Sequence, residues 1–358
     1  SDVGGNLSNQ ATSTFVVDKT PPTAVISDTS FGAVLNIQES LENGLIQLSF
    51  EGVEDGNFAE LRFESATYTS TVMSGTSSVT IPSSVLSTLT HEQTYTLEAE
   101  VYDSAQNKSG TATSTFTVDI SSPTFSLNGL SWGAVLNTAE SLTSGTVSWT
   151  TTGVEDGQLL TTNFDGQVYT SIVSNTSASL TLSSTVLNSL IDASTYTMTF
   201  NVSDAAGNPS NTLSTTFEVD FTAPVVQKVY SLTDDGTYKI DDQLTLVVEF
   251  SEPVTASLST TLLLETGEFD QQANYSSGSG TSSLTLIYTV QVGDQSPSLD
   301  YVGDDSLSSL EIKDLSGNTA LLTLPTPGIT NSLSDLSDLV IDGIKPTIVD
   351  INPSWLYR

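Results

Sequence analysis

One spacing constrains this chain more than any other feature. Asp18, followed by Lys-Thr-Pro-Pro-Thr, returns 101 residues later as Asp119, followed by Ile-Ser-Ser-Pro-Thr. Phe31-Gly-Ala-Val-Leu-Asn36 returns as Trp132-Gly-Ala-Val-Leu-Asn137, and Gly52-Val-Glu-Asp-Gly56 returns as Gly153-Val-Glu-Asp-Gly157, both at the offset of 101. Tyr95 maps onto Tyr196 and Asp103 onto Asp204 in the same way. No net insertion separates these landmarks, so two consecutive segments share one fold. The punctuation continues at Asp220-Phe-Thr-Ala-Pro224, again 101 on, and at Asp342-Gly-Ile-Lys-Pro346, 122 further. The third segment is longer and its interior differs, which makes it a cousin of the first two and not a copy. Three domains follow, at residues 19–119, 120–220 and 221–342. Residues 1–18 read as the closing turn and strand of a preceding domain, because Asp2-Val-Gly-Gly-Asn6 matches Asp103 to Asn107 and Asp204 to Asn208. Residues 343–358 read as the start of a following segment, so the sequence looks like a cut from a longer array.

Within each segment the apolar residues alternate with polar ones, which is the period of a strand with one buried face. Tyr95, Leu97, Ala99 and Val101 point one way, and Thr96, Glu98 and Glu100 the other. Tyr196, Met198, Phe200 and Val202 repeat the inward set. Phe116 with Val118, and Phe217 with Val219, mark each closing strand. In the third segment Leu244, Leu246, Val248 and Phe250 form one strand, and Leu284, Leu286, Tyr288 and Val290 another. Serine-flanked Val85-Leu86 and Val186-Leu187 read as single helical turns crossing between sheets. Roughly seven short strands in about 100 residues is the arithmetic of an immunoglobulin-like sandwich. The expected fold is therefore all-β, a tandem of such sandwiches set end to end as an extended rod. Tyr95 and Tyr196 open the penultimate strands, where a tyrosine corner would bond its hydroxyl to upstream backbone; a plain core tyrosine is the alternative.

Eight basic residues face 42 acidic ones, a net charge of −34. Such a chain repels phosphates and anionic lipid headgroups, so nucleic acid and membrane surfaces are poor partners. It contains no stretch of about 18 apolar residues that would span a bilayer. It has no cysteine, so no disulfide staples a domain, and a metal is one substitute for that staple. No secretory leader precedes Ser1.

The acids recur in three places. One closes each final strand: Asp18, Asp119, Asp220 and Asp342. A second set, Glu54-Asp55 and Glu155-Asp156, lies in the loop after the second strand. A third opens the penultimate turn, as Asp103 with Asn107, Asp204 with Asn208 and Asp314 with Asn318. In a sandwich of this topology these loops share one end, the end at which the chain enters. Asp18 should then face Glu54, Asp55, Asp103 and Asn107, and Asp119 should face Glu155, Asp156, Asp204 and Asn208. Asp220 should face Asp314 and Asn318, with Glu252 of Phe250-Ser-Glu-Pro-Val254. Oxygen ligands from three segments are what Ca2+ takes, at six to eight donors. Two plain readings stand beside this one. The Asp-x-x-Gly-Asn pattern suits a simple turn, and each linker aspartate can accept backbone N–H bonds ahead of its proline.

Catalytic constellations are missing. His91 is the lone histidine, its counterpart one repeat on is Asp192, and there is no second histidine or cysteine for a zinc site. Carboxylate pairs recur at every joint, whereas an active site is normally unique. Trp132, Trp149 and Trp355 could stack on sugars, but Trp149 aligns with Leu48 and Trp132 with Phe31, which points to packing.

Val202-Ser-Asp-Ala-Ala-Gly-Asn208, followed by Phe217-Glu-Val-Asp-Phe-Thr-Ala-Pro224, resembles the bacterial immunoglobulin-like repeats of large surface adhesins. The third segment resembles a second, related class, through Asp235-Gly-Thr-Tyr238, Phe250-Ser-Glu-Pro-Val254, Tyr275-Ser-Ser-Gly-Ser-Gly-Thr281, Tyr288-Thr-Val290 and Asp314-Leu-Ser-Gly-Asn318. That resemblance implies a non-enzymatic spacer on an extracellular bacterial surface, with calcium stiffening the linkers. It implies neighbouring repeats as partners, and a host, prey or surface glycan or protein bound by a module outside this segment. The first repeat departs from the pattern, with Gln106 where the loop glycine sits. Two other readings are a glycan- or protein-binding third repeat and an accessory segment of a secreted hydrolase.

Overall fold

The computed structural model describes residues 2–347. In the first repeat β1 (Thr23–Thr29), β2 (Val34–Leu35), α1 (Ile37–Ser40), β3 (Gly44–Glu51), β4 (Phe58–Phe63), β5 (Ala66–Thr71), β6 (Thr76–Ile81), α2 (Ser83–Leu86), β7 (Thr94–Val101) and β8 (Ala112–Val118) follow in order. Three of these strands form one sheet, in the order β1-β3-β6, and five form the other, β2-β8-β7-β4-β5. The turn α2 carries the chain from the first sheet to the second, and its Leu86 is fully buried. Ile46, Leu48 and Val79 of one sheet pack with Leu61, Leu97 and Phe116 of the other into a single core. The sheet orders of the second repeat are the same, and its crossing turn is Ser184–Leu187.

The inward sets fall where alternation puts them. Leu97, Ala99, Val101, Met198, Phe200 and Val202 are buried. Trp149 is fully buried against Phe200, with ring centroids 5.1 Å apart, and Trp132 is buried against Phe217 at 5.3 Å. Both are core residues; Trp355 lies outside the described residues. Tyr95 and Tyr196 form the tyrosine corner: their hydroxyls accept from the backbone N–H of Thr90 and Ile191, each at 3.0 Å. Glu100 differs from its expected outward, solvated place. It is buried because Arg62 and Lys108 each reach its Oε2 at 2.8 Å and Thr111 donates to its Oε1 at 2.6 Å. Lys108 and Thr111 are the main reason its carboxyl is held below the ordinary range.

The third repeat has a core of its own around Leu246, Phe250, Leu286, Tyr288 and Tyr301. Its long strand Gln243–Ala256 pairs with Val226–Ser231 on one side and Thr281–Thr289 on the other. Between Glu249 and Val254 the register breaks into a bulge. Pro253, which has no N–H for a ladder, sits inside it. Bulges re-aim side chains, and here the residue re-aimed is Glu252.

Residues 7–22 contain no strand, contrary to the closing strand expected there. Phe15 and Val17 are exposed, and among the described residues no sheet pairs with this stretch; an isolated strand has nothing against which to bury its apolar face. Backbone contacts divide the chain into two compact units, Ser1–Asn128 with Ser148–Ser179 and Thr199–Ser214, and Gly129–Val147 with Leu180–Met198 and Thr215–Arg358. The dividing line runs through the second repeat, so each unit contains one joint between repeats.

Candidate functional site: the joints between repeats

The penultimate turn is the same object wherever it occurs. In Asp204–Asn208 the aspartate Oδ1 accepts the Asn208 backbone N–H at 2.8 Å, and its Oδ2 accepts the Asn208 side-chain amide at 3.0 Å. Asp314 and Asn318 make the same pair of bonds at 2.8 and 2.9 Å, and Asp103 and Asn107 make them at 2.8 and 2.8 Å. The N-terminal Asp2 and Asn6 make them too, at 3.0 and 2.9 Å. The aspartate thus ties the turn to itself, as the plain-turn reading holds. Burial pushes the Asp103 carboxyl up, but the Asn107 side chain and the N–H groups of Asn107 and Ala105 outweigh it and hold it below the ordinary range.

The turn asparagine then grips the linker. Asn208 donates to the Asp119 carbonyl at 3.0 Å, Asn318 to the Asp220 carbonyl at 2.9 Å and Asn107 to the Asp18 carbonyl at 3.3 Å. The linker carboxylates accept the backbone N–H two residues on: Asp18 from Thr20, Asp119 from Ser121 and Asp220 from Thr222. Position 91 also has a joint role. His91 Nδ1 accepts the Ile120 N–H at 3.2 Å, and its counterpart Asp192 accepts the Phe221 N–H at 2.7 Å and the Thr222 hydroxyl at 2.6 Å. The fold therefore asks for an acceptor at this position, which histidine and aspartate both supply. The Phe221 N–H and the Thr222 hydroxyl hold the Asp192 carboxyl below its ordinary range.

The second-strand acids divide their work. Glu54 accepts the Ser104 N–H at 3.0 Å, and Glu155 the Ala205 N–H at 2.7 Å, so both reach the penultimate turn. Asp55 and Asp156 turn instead to the neighbouring hairpin, where they accept the N–H of Ser74 at 2.6 Å and of Asn175 at 2.8 Å. Those two hairpin residues have positive φ, 52° and 48°, and the carboxylates pin them there.

At the joint entering the third repeat the arrangement changes. Asp220, Glu252 and Asp314 each place one carboxylate oxygen within 4.8 Å of the other two. Among the described residues this is the one such group of three acids or histidines. Asp314 closes the strand Ile312–Asp314, and it is paired with Val254, two residues past Glu252. One bulged strand thus positions two of the three acids, and the linker supplies the third. Unlike Glu54 and Glu155, Glu252 accepts no hydrogen bond among the described residues. Burial first, and then the charges of Asp314, Asp220 and Asp192, push its carboxyl above the ordinary range.

Sequence reasoning missed Asn36 and Asn137. Each caps a short helical turn, Ile37–Ser40 or Thr138–Ser141, in a capping box closed by Glu39 or Glu140. Their side-chain NH2 groups, left free by the cap, point across the joint. Asn36 donates to the Ala206 carbonyl at 3.0 Å, and Asn137 to the Ser316 carbonyl at 2.9 Å. In return Asn208 Oδ1 accepts the Ile37 N–H at 2.7 Å, and Asn318 Oδ1 the Thr138 N–H at 2.9 Å. The signal was present, since Asn-x-x-Glu recurs at the offset of 101.

A family model described as a bacterial Ig-like domain matches residues 28–120 and 127–221. No curated protein matches this chain. Among solved structures, one from a 1.5-MDa bacterial ice-binding adhesin is 20% identical with a TM-score of 0.46, covering 85% of this chain and 96% of that one. A Ca2+-stabilised adhesin of an Antarctic bacterium that binds ice is 23% identical with a TM-score of 0.49, covering 89% and 77%. Fibronectin(III)-like modules of Clostridium thermocellum are 11% identical with a TM-score of 0.37, covering 56% and 95%.

Proposed function

This chain belongs to the bacterial Ig-like domain family, and we propose that it is a non-enzymatic spacer of a secreted or cell-surface adhesin, with Ca2+ held at the joint between its second and third repeats. The single observation behind the calcium part is the Asp220–Glu252–Asp314 group. Its donors are all hard oxygens, the chemistry Ca2+ selects, and zinc's preferred nitrogen and sulfur ligands are missing from the set. The raised Glu252 carboxyl supports the same reading, because burial raises it first and a divalent cation would relieve the repulsion from Asp314 and Asp220 that adds to it. The spacer part is supported by cores belonging to single repeats and by acidic side chains spent on joints and turns. Its partners on this reading are the adjoining repeats, with any glycan or protein ligand held elsewhere.

Calorimetric titration of the whole chain with CaCl2 tests this. The expected outcome is one ion bound with Kd of roughly 10⁻⁴ to 10⁻³ M, the range of extracellular modules. Glu252→Gln removes one charge from the group and should weaken binding at least tenfold. Equal heats from the wild type and Glu252→Gln would overturn the calcium assignment.

A further inference from the structure

The hydrogen bonds from the Asn36 side-chain NH2 to the Ala206 carbonyl and from the Ile37 N–H to Asn208 Oδ1 form a closed ring across the first joint. Asn137, Ser316, Thr138 and Asn318 form the same ring across the second. All of its donors and acceptors are neutral. At the first joint no three acids converge among the described residues as they do at the second, and Glu155, unlike Glu252, is engaged by protein. Glu155 holds the Ala205 N–H, Asp204 holds Asn208, and Asp119 holds the Ser121 N–H. We propose that this reciprocal asparagine clasp closes the joint between the first two repeats without metal, and that it is the docking code by which one repeat accepts the next. The surface offered is the capping asparagine with the N–H that follows it. The partner that fits is a repeat carrying the Asp-x-x-Gly-Asn turn.

Three features make the clasp selective. Ile37 and Thr138 are first residues of their helical turns, whose N–H groups have no acceptor within the helix. Only the incoming asparagine satisfies them. Gly207 and Gly317 adopt φ of 88° and 99° in the incoming turn. A Cβ on Gly317 would lie 2.8 Å from the Asn137 Nδ2, and one on Gly207 would lie 3.6 Å from the Asn36 Nδ2. At Gly317 the glycine therefore provides both the backbone geometry and the room for the capping amide, whereas at Gly207, where a Cβ would make an ordinary contact, it provides the backbone geometry. The third feature is at the exit of the third repeat. The strand pair Gly236–Lys239 and Leu339–Asp342 is parallel there, as the pair ending at Asn137 and Asp220 is in the second repeat. Lys239 is opposite Asp342 where Asn137 is opposite Asp220. Its N–H and ammonium both go to Asp242. With its ammonium held by Asp242, Lys239 offers no counterpart of the amide donor that Asn137 extends across its joint, so this exit lacks the asparagine code.

Amide hydrogen exchange on the whole chain in excess EDTA is the test. The Ile37 N–H reports the clasp, and the Glu39 N–H, which Asn36 caps from its own repeat at 2.9 Å, reports the cap. Asn36→Ser keeps a capping oxygen and loses the amide donor. The expected result is an Ile37 N–H protected in wild type and exchanging about tenfold faster in Asn36→Ser and in Asn208→Ala, as the loss of one net hydrogen bond implies. Glu39 and the core amides of the first repeat should be unchanged in Asn36→Ser. An Ile37 N–H that exchanges freely in wild-type protein under EDTA, or that ignores both substitutions, overturns the clasp. Because no free calcium is present, either result is independent of whether the Asp220–Glu252–Asp314 group binds an ion.

Discussion

Glu252 and Glu100 show how one residue type serves opposite ends in this chain. Glu100 is buried between two cations, and its lowered pKa favours the folded state above the ordinary carboxylate range. That contribution is lost as pH falls through the lowered folded value. Glu252 faces other carboxylates, and its folded pKa is raised, so the folded state holds this proton more tightly than the unfolded one. Its contribution is present in acid, below the unfolded value near the ordinary carboxylate pKa, and is lost as pH rises through the raised folded value. In EDTA, Glu252→Gln should therefore melt above wild type at pH 7, and the gap should close toward pH 4. Calorimetric melting of both proteins across that range checks the sign, and identical pH profiles would remove Glu252 from the argument. The acids at the joints were legible in the sequence because they recur at one spacing. Asn36 recurs equally well, but its partner Ala206 is 170 positions away. Its recurrence reads first as a local cap, and nothing in one repeat says that its second amide hydrogen serves the next. Glu100 was misread for a related reason. Period-two alternation assigns a face to each residue, but it does not say that Arg62 and Lys108 will cover that face.

At the scale of elements, the repeat offset and the alternation were enough to place the strands of the first two repeats and the crossing turns at Leu86 and Leu187. Residues 7–22 form no strand among the described residues, and a strand forms only where a sheet pairs with it. The bulge in Gln243–Ala256 was visible only as the unusual Ser-Glu-Pro within an apolar run. Packing differs between the copies at one instructive point. Gly44 and Gly145 begin equivalent strands under Phe31 and Trp132. A Cβ on Gly145 would lie 2.4 Å from Trp132 Cζ3 and 2.6 Å from its Cε3, both atoms of a rigid ring. On Gly44 the nearest atoms are 2.9 Å away, in Leu86 and Phe31. Overpacking a filled core costs about 1–3 kcal/mol. Gly145→Ala should sit at the upper end of that range and Gly44→Ala below it, measured by urea unfolding of the whole chain. Equal costs at the two sites would show that the indole shifts as easily as the phenyl ring.

For the whole molecule the governing quantity is its charge of −34. Five of its eight basic side chains are already in ion pairs, those of Arg62, Lys108, Lys228, Lys239 and Lys313. The remaining negative charge acts at long range and is screened by any salt, with a Debye length of about 10 Å at 0.1 M. A bound ion acts differently, because it neutralises one place and adds little to ionic strength. The two effects separate if melting is followed first in NaCl and then in added calcium. Raising NaCl from about 10 to about 150 mM should raise the melting temperature of the wild type and of Glu252→Gln alike, because screening does not depend on one carboxylate. At about 150 mM NaCl, a further ~1 mM CaCl2 hardly changes the Debye length. It should still raise the wild-type melting temperature and leave Glu252→Gln where it was, because only a site that binds the folded state stabilises by mass action. If calcium adds nothing beyond sodium in the wild type, the acids away from hydrogen bonds are a screened surface and the joint into the third repeat is held, like the first, by hydrogen bonds without a metal.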